Sequence, residues 1–114
     1  MDSGQEQRRS SRWLLRTPVN VALASGRMLR GRSFDISTGG LSVICQFAIA
    51  VNSTVQVNLV VTHAIGGKGV AFASRCKVID CVFDGRNNGF RVSMQFLELD
   101  EMARAAIESH LPEA

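Results

Sequence analysis

Two arginines four residues apart, Arg8 and Arg12, precede the first apolar run of this 114-residue chain. Their stretch reads RRSSR, so Arg9 stands inside the pair. Further on, residues 34–41 read FDISTGGL. There Asp35 ends a strand-like run, and Ser37, Gly39 and Gly40 belong to a turn. A short carboxylate in such a place can accept from turn N–H groups, and a serine hydroxyl does the same more weakly. The two glycines allow a close approach by another group. Taken alone, FDISTGGL is a strand–turn–strand connection. Taken with RRSSR, it completes a set. Guanidinium groups bind the O6 and N7 acceptors of guanine in bidentate fashion, stack on base faces and pair with phosphates. A carboxylate accepts from the N1–H and the exocyclic amine on guanine's other edge. A ligand carrying guanines and phosphates would use every member of the set.

Charge supports an anionic partner. Eleven of the thirteen basic residues are arginine, a side chain suited to bidentate and stacking contacts. Residues 1–32 hold seven arginines against Asp2 and Glu6, a balance of +5; residues 33–114 hold six bases and eight acids, a balance of −2. The remainder is ordinary for a globular domain, 46% hydrophobic and 20% charged, and long enough for one core. No apolar run is long enough for a transmembrane helix, and the N-terminus lacks the apolar segment of a secretory signal. Membrane insertion is therefore not expected. Cys45, Cys76 and Cys81 are an odd number with no C-x-x-C pair, which predicts reduced thiols in a cytoplasmic protein.

The elements that would position these residues are mostly strands. Residues 1–12 hold no hydrophobic side chain after Met1 and are expected to form a flexible arm. Residues 13–114 are expected to form one domain. Alternating apolar residues predict strands near 19–23, 28–36, 41–47, 54–62, 70–83 and 90–97, with the fifth bent near Ser74. On the second strand, Arg30 and Arg32 would share a half-exposed face with Met28 and Phe34. Turn signals separate the strands at Ser25-Gly26, 37–40, 66–69 and 84–89. After Phe96 the period changes: Leu99, Met102, Ala103, Ala106, Ile107 and Leu111 mark an amphipathic helix at about 100–111, with Asp100 as its N-cap. Six short strands and one helix point to an all-β barrel or sandwich covered by the helix.

At this point the sequence resembles a known family. R-x-x-x-R at Arg8 and Arg12, followed by D-x-S-x-x-G at Asp35, Ser37 and Gly40, is similar to the PilZ domain, a bacterial receptor module for cyclic di-GMP. The likeness covers nearly the whole chain, including RVSMQF at residues 91–96 and the closing helix. It implies a six-stranded antiparallel β-barrel with a C-terminal α-helix. It also implies a mechanism in which Arg8 and Arg12 engage guanine edges and phosphates, with Arg9 a further phosphate contact. Asp35 and Ser37 would hold guanine donors, with Gly39 and Gly40 close to the ligand. Family members bind one cyclic di-GMP or a stacked pair, and Gln7 stands where that choice is influenced. Ordering of the arm would pass the signal to a downstream protein. One departure is Asn52, where many members carry glycine.

Other residues read more plainly. Trp13 and Phe34 are expected as core or anchor residues, Arg75 as a solvent-facing or ligand-facing strand residue, and Arg27, Arg30 and Arg32 as a solvated face. His63 and His110 lack the neighbours of a metal site, so no metal or other cofactor is expected. Asp80, Asp84, Asp100 and Glu101 lack a histidine or serine partner at a telling spacing, so no catalytic constellation is legible and no enzymatic activity is expected. Gly66-Gly67-Lys68-Gly69 lacks the order of a phosphate-binding loop. Two rival readings carry different expectations. A PilZ-like adaptor would bind protein without nucleotide. A general DNA or RNA binder would use the arm with steep salt dependence and would ignore Asp35; no DNA or RNA partner is expected.

Overall fold

The structure is a computed structural model that describes residues 12–62 and 69–109, apart from the side chains of Thr62 and Phe72. Strand β1 (Trp13–Leu14) is followed by β2 (Pro18–Ala22), β3 (Met28–Ile36), β4 (Gly40–Cys45), β5 (Thr54–Thr62), β6 (Gly69–Asp84) and β7 (Gly89–Phe96). The helix α1 (Glu101–Glu108) comes last. All pairings are antiparallel, and the order β3-β2-β5-β6-β7-β4 closes because β4 also pairs with β3. The result is the expected six-stranded barrel. The extra two-residue β1 pairs with the far end of β3, on the edge that β2 uses further down.

Alternation decides which side chains fill the barrel. Val55, Val57, Leu59 and Val61 of β5 point inward and are buried, as are Val19 and Val21 of β2 and Val92 and Met94 of β7. Closure of the sheet removes exposed edges and lets one interior core serve all six strands. Helix α1 packs on β5 and β6, and its Ala103, Ala106 and Ile107 join the same core. Asp100 caps it, its carboxylate accepting from the Ala103 N–H at 2.8 Å. Met102, expected on the apolar face, is 71% exposed. At about 100° per residue it lies roughly a quarter turn from the stripe centred on Ala103 and Ala106.

Two strands break strict alternation. β3 shifts register against β4 between Ser33 and Asp35, and β6 shifts against β7 between Val78 and Asp80. Each is a β-bulge with one extra residue, Phe34 and Ile79 respectively. The expected irregularity near Ser74 therefore sits further along β6. The Ser74 hydroxyl instead donates to the Glu98 carbonyl, tying the segment before α1 to β6. Asn52 has φ of 75°, the left-handed conformation that glycine takes most readily and asparagine tolerates. Asparagine is among the few non-glycine residues that hold this conformation readily.

Beside the β3 bulge, the chain between β1 and β2 leaves the ladder. The buried Ser33 bridges this gap: its hydroxyl donates to the Leu15 carbonyl and accepts from the Thr17 N–H at 3.0 Å. Ser33→Ala should leave both backbone groups short of a partner, lowering stability by about 1–3 kcal/mol in urea unfolding. The thiols of Cys45 and Cys76 are free and buried, and burial pushes them up to about 11 and about 12. The folded protein thus prefers them protonated. Their contribution is intact below the ordinary value of 9.0 and is lost as pH rises from there towards about 12. Stability measured across that alkaline window should fall.

Candidate functional site

The β3 bulge places Asp35 on the outer face of the barrel beside Phe34. Without it, the alternation that buries Leu29 and Ser33 would turn Asp35 inward. From Asp35 a row runs across the register: Asp35 opposite Ser42 of β4, Ser42 opposite Ser93 of β7, and Ser93 opposite Asp80 of β6. The bulge at Ile79 turns Asp80 outward in the same way. The two irregularities therefore bring polar side chains from four strands into one line.

Arg12 approaches the row from the chain start. Its guanidinium is 2.9 Å from the Asp35 carboxylate, with side-chain exposures of 43% and 17%. This joins one residue of each sequence motif across 23 positions of chain. Pairing of β1 with Asp35 and Ile36 holds the backbone next to Arg12 against β3. Arg8, Arg9 and Gln7 lie outside the described residues, as do His63, His110 and the Gly66–Lys68 part of the β5–β6 connection.

The turn from β3 to β4 is built by Ser37, which is 1% exposed. Its hydroxyl accepts from the Gly39 N–H at 3.1 Å, and its backbone N–H donates to the Gly40 carbonyl at 2.8 Å. The two glycines differ in what they permit. A Cβ at Gly40 would collide with the Met94 carbonyl oxygen of β7, so this glycine lets β4 and β7 pair closely. A Cβ at Gly39 would meet only the Ser37 hydroxyl, at 3.8 Å. Gly39 is exposed and leaves open space above the turn.

Beside this turn lies a groove of about 730 Å³. Arg12, Ser37 and Gly39 border it together with Ser42, Ser93 and Gln95. The last three are site residues that the sequence reading did not single out. Alternation in RVSMQF does put Arg91, Ser93 and Gln95 on one face, but only the β4–β7 pairing shows that this face adjoins Asp35. Ser42 is buried, and among the described residues its hydroxyl makes no hydrogen bond within the chain. Another groove, about 500 Å³ between β2, β5 and β6, carries no charged side chain. Arg75 does not border the groove beside the Gly39-Gly40 turn; it is exposed and pairs with Glu98 at 3.3 Å. Trp13 packs against the core, while Phe34 lies on the outer face. No group of three metal-ligating side chains occurs among the described residues. No described helix is long and apolar enough to cross a membrane.

The PilZ domain family model matches residues 6–112, nearly the whole chain. The chain belongs to the PilZ family. No curated protein sequence matches it. Its fold is similar to that of the Escherichia coli YcgR PilZ domain, a structure with c-di-GMP, at a TM-score of 0.67 and 21% identity over 92% of this chain and 88% of that one. It is similar to the PilZ domain of CeSA from a cellulose-synthesizing bacterium, at 0.55 and 22%, over 84% and 88%. It is also similar to the Bacillus subtilis inhibitor of motility, MotI/DgrA, at 0.74 and 13% identity over 87% of this chain. The chain spans about half of that protein, 47% of its length. At these identities the likeness concerns the fold of the PilZ barrel.

The two glycines of the turn give a direct check on its construction. Gly40→Ala should lower stability by about 1–3 kcal/mol, because the obstacle is backbone that cannot swing aside. Gly39→Ala should stay within about 0.5 kcal/mol of the parent in the same urea titration.

Proposed function

We propose that this PilZ domain is a receptor for cyclic di-GMP and has no enzymatic activity of its own. The observation that carries the reading is the Arg12–Asp35 pair at the edge of the groove beside the Gly39-Gly40 turn. One partner offers guanidinium donors and the other carboxylate acceptors, the two functions a guanine base uses on its opposite edges. The pair is open to solvent on the arginine side, so it contributes only about 0–1 kcal/mol and is cheaply exchanged for ligand contacts. On binding, Arg12 turns to base or phosphate, and Asp35 accepts from the guanine N1–H and amine. Ser37 holds the turn, and Gly39 leaves room for a ring or phosphate to approach. Arg8 and Arg9 extend the clamp, and its closing orders the arm over one or two ligands. The ordered arm then presents a changed surface to a downstream protein in the bacterial cytoplasm.

The presence of c-di-GMP in the similar YcgR structure supports this reading. A second reading is an adaptor that binds protein without nucleotide; the fold likeness to an inhibitor of motility fits a protein-directed role in either reading. Titration calorimetry separates them. The receptor reading expects saturable heat with cyclic di-GMP, and Arg12→Ala and Asp35→Ala should each weaken binding by about tenfold or more while the barrel stays folded. No heat at ligand well above micromolar would leave the adaptor. Undiminished binding by both variants would place the ligand elsewhere.

A further inference from the structure

A second concentration of charge lies along the outer face of β3, away from Asp35. Arg30 and Arg32 point outward from alternate positions and are exposed. Neither has a carboxylate partner among the described residues. Further along the same face is Phe34, with the Arg16 guanidinium 4.8 Å from its ring centre and that of Arg91 4.1 Å away. Arg91 is fixed from the other side by Asp84 at 3.0 Å, and hydrogen bonds from Asn87 and Arg91 hold that carboxyl below the ordinary range. Across the register, Ile44 separates Arg32 from Arg91 and is shielded from solvent. Four guanidinium groups thus share one face, and among the described residues Asp84 is the only carboxylate that meets any of them.

Beside Arg30 and Arg32 runs a groove of about 450 Å³ whose opposite wall carries Gln46, Asn87 and Asn88. Like charges gathered on one face repel, and the cost is relieved when an anion docks. The two arginines are spaced as alternate residues of a strand, about 6.6 Å apart along it. An extended chain with acids at alternate positions presents carboxylates at the same interval. The carboxamide wall bears on what that chain is. Each carboxamide offers an acceptor as well as a donor, one Asn87 side-chain N–H being already given to Asp84 at 2.9 Å, and a peptide backbone uses both. A phosphodiester or a lipid phosphate would leave the acceptors idle. Among the described residues, Phe34 is engaged by two cations and the exposed Phe47 next to Gln46 by Arg27 at 5.1 Å, so both rings near the groove are already taken as stacking platforms for bases.

We infer that the groove between Arg30, Arg32 and the Gln46–Asn87–Asn88 wall is a docking site for an extended acidic segment of a partner protein. It lies outside the cyclic di-GMP site and does not depend on that assignment. The probe is a fluorescein-labelled peptide of alternating Glu and Ser, about ten residues long, followed by anisotropy at roughly 50 mM salt. The full chain should bind it, less tightly as salt rises, and should not bind a peptide of alternating Lys and Ser. Arg30→Glu with Arg32→Glu should weaken binding by about tenfold or more. A control that changes the same charge on β6 and α1, Arg75→Glu with Arg104→Glu, should stay within about twofold. If the first pair fails to fold, Arg30→Gln with Arg32→Gln takes its place. The inference is overturned if the acidic peptide does not bind, if the groove variants bind it as the parent does, or if the control loses it equally. It is also overturned if oligothymidylate or phosphatidylglycerol vesicles bind more tightly than the peptide and are lost with the same arginines. Cyclic di-GMP titrated into the same proteins should give unchanged heats, so failure of this inference and failure of the receptor reading appear in different measurements.

Discussion

The outer face of this barrel depends on one extra residue in β3. Leu29 and Ser33 alternate inward, and strict continuation would turn Asp35 inward and Ile36 outward. The bulge at Phe34 reverses this: Ile36 is fully buried, and Asp35 lies on the outer face paired with Arg12. A carboxylate turned into the interior would cost several kcal/mol. A leucine-sized side chain left outside would forfeit about 1.5–3 kcal/mol of burial. Both effects favour the bulged register, so the apolar core and the position of the acid are fixed together. The second bulge, at Ile79, does the same for Asp80, and the row of four polar residues exists only because both shifts occur.

The bulge also governs how the chain start is held. β1 and β2 lie on the same side of β3, and the gap between them falls at Leu15–Thr17, alongside the bulge. Ser33 fills this gap with its hydroxyl, replacing ladder hydrogen bonds that the displaced backbone cannot make. The backbone after Arg12 is therefore set by main-chain pairing, while among the described residues its side chain is held by one half-exposed ion pair. A rigid root with a loosely held guanidinium is what the exchange of partners in the proposed receptor role would require. The Ser37 turn is the opposite case, since its hydroxyl and amide are committed to Gly39 and Gly40.

Local pattern makes most of the fold legible in the sequence. TVQVNLVVT reads as a half-buried strand and is one, and Asp100 caps the helix as its position suggests. The pairing of Arg12 with Asp35 follows two motifs that are legible as residue types. The bulges were less legible, because a register shift reflects what the partner strand offers as well as the strand's own sequence. Val70 to Phe83 contains apolar residues in both phases, so the change of phase at Ile79 has no unique local mark. Ser42, Ser93 and Gln95 were hidden for a related reason: each is an ordinary polar residue of an alternating strand until the β4–β7 pairing sets it beside the turn. Arg30 and Arg32 are legible as an exposed face, but their neighbours across the groove come from a distant connection, Asn87 and Asn88.

The buried serines show how stability and recognition are divided in this molecule. Among the described residues four are buried: Ser33, Ser37, Ser42 and Ser74. Three sit where the ladder is interrupted, and each bonds backbone there: Ser33 at the gap between β1 and β2, Ser37 at the β3–β4 turn, and Ser74 against the segment leading to α1. A buried hydroxyl costs stability unless it is paired, and these three are paired with groups that would otherwise be unpaired themselves. Ser42 breaks the pattern. It stands opposite Asp35 at the β3 bulge and in register with Ser93, borders the groove, and makes no hydrogen bond among the described residues. A valine there would suit β propensity and shed an unmet hydroxyl. The barrel thus carries at the centre of its polar row, between Asp35 and Ser93, a hydroxyl that none of the described ladder or turn bonds uses.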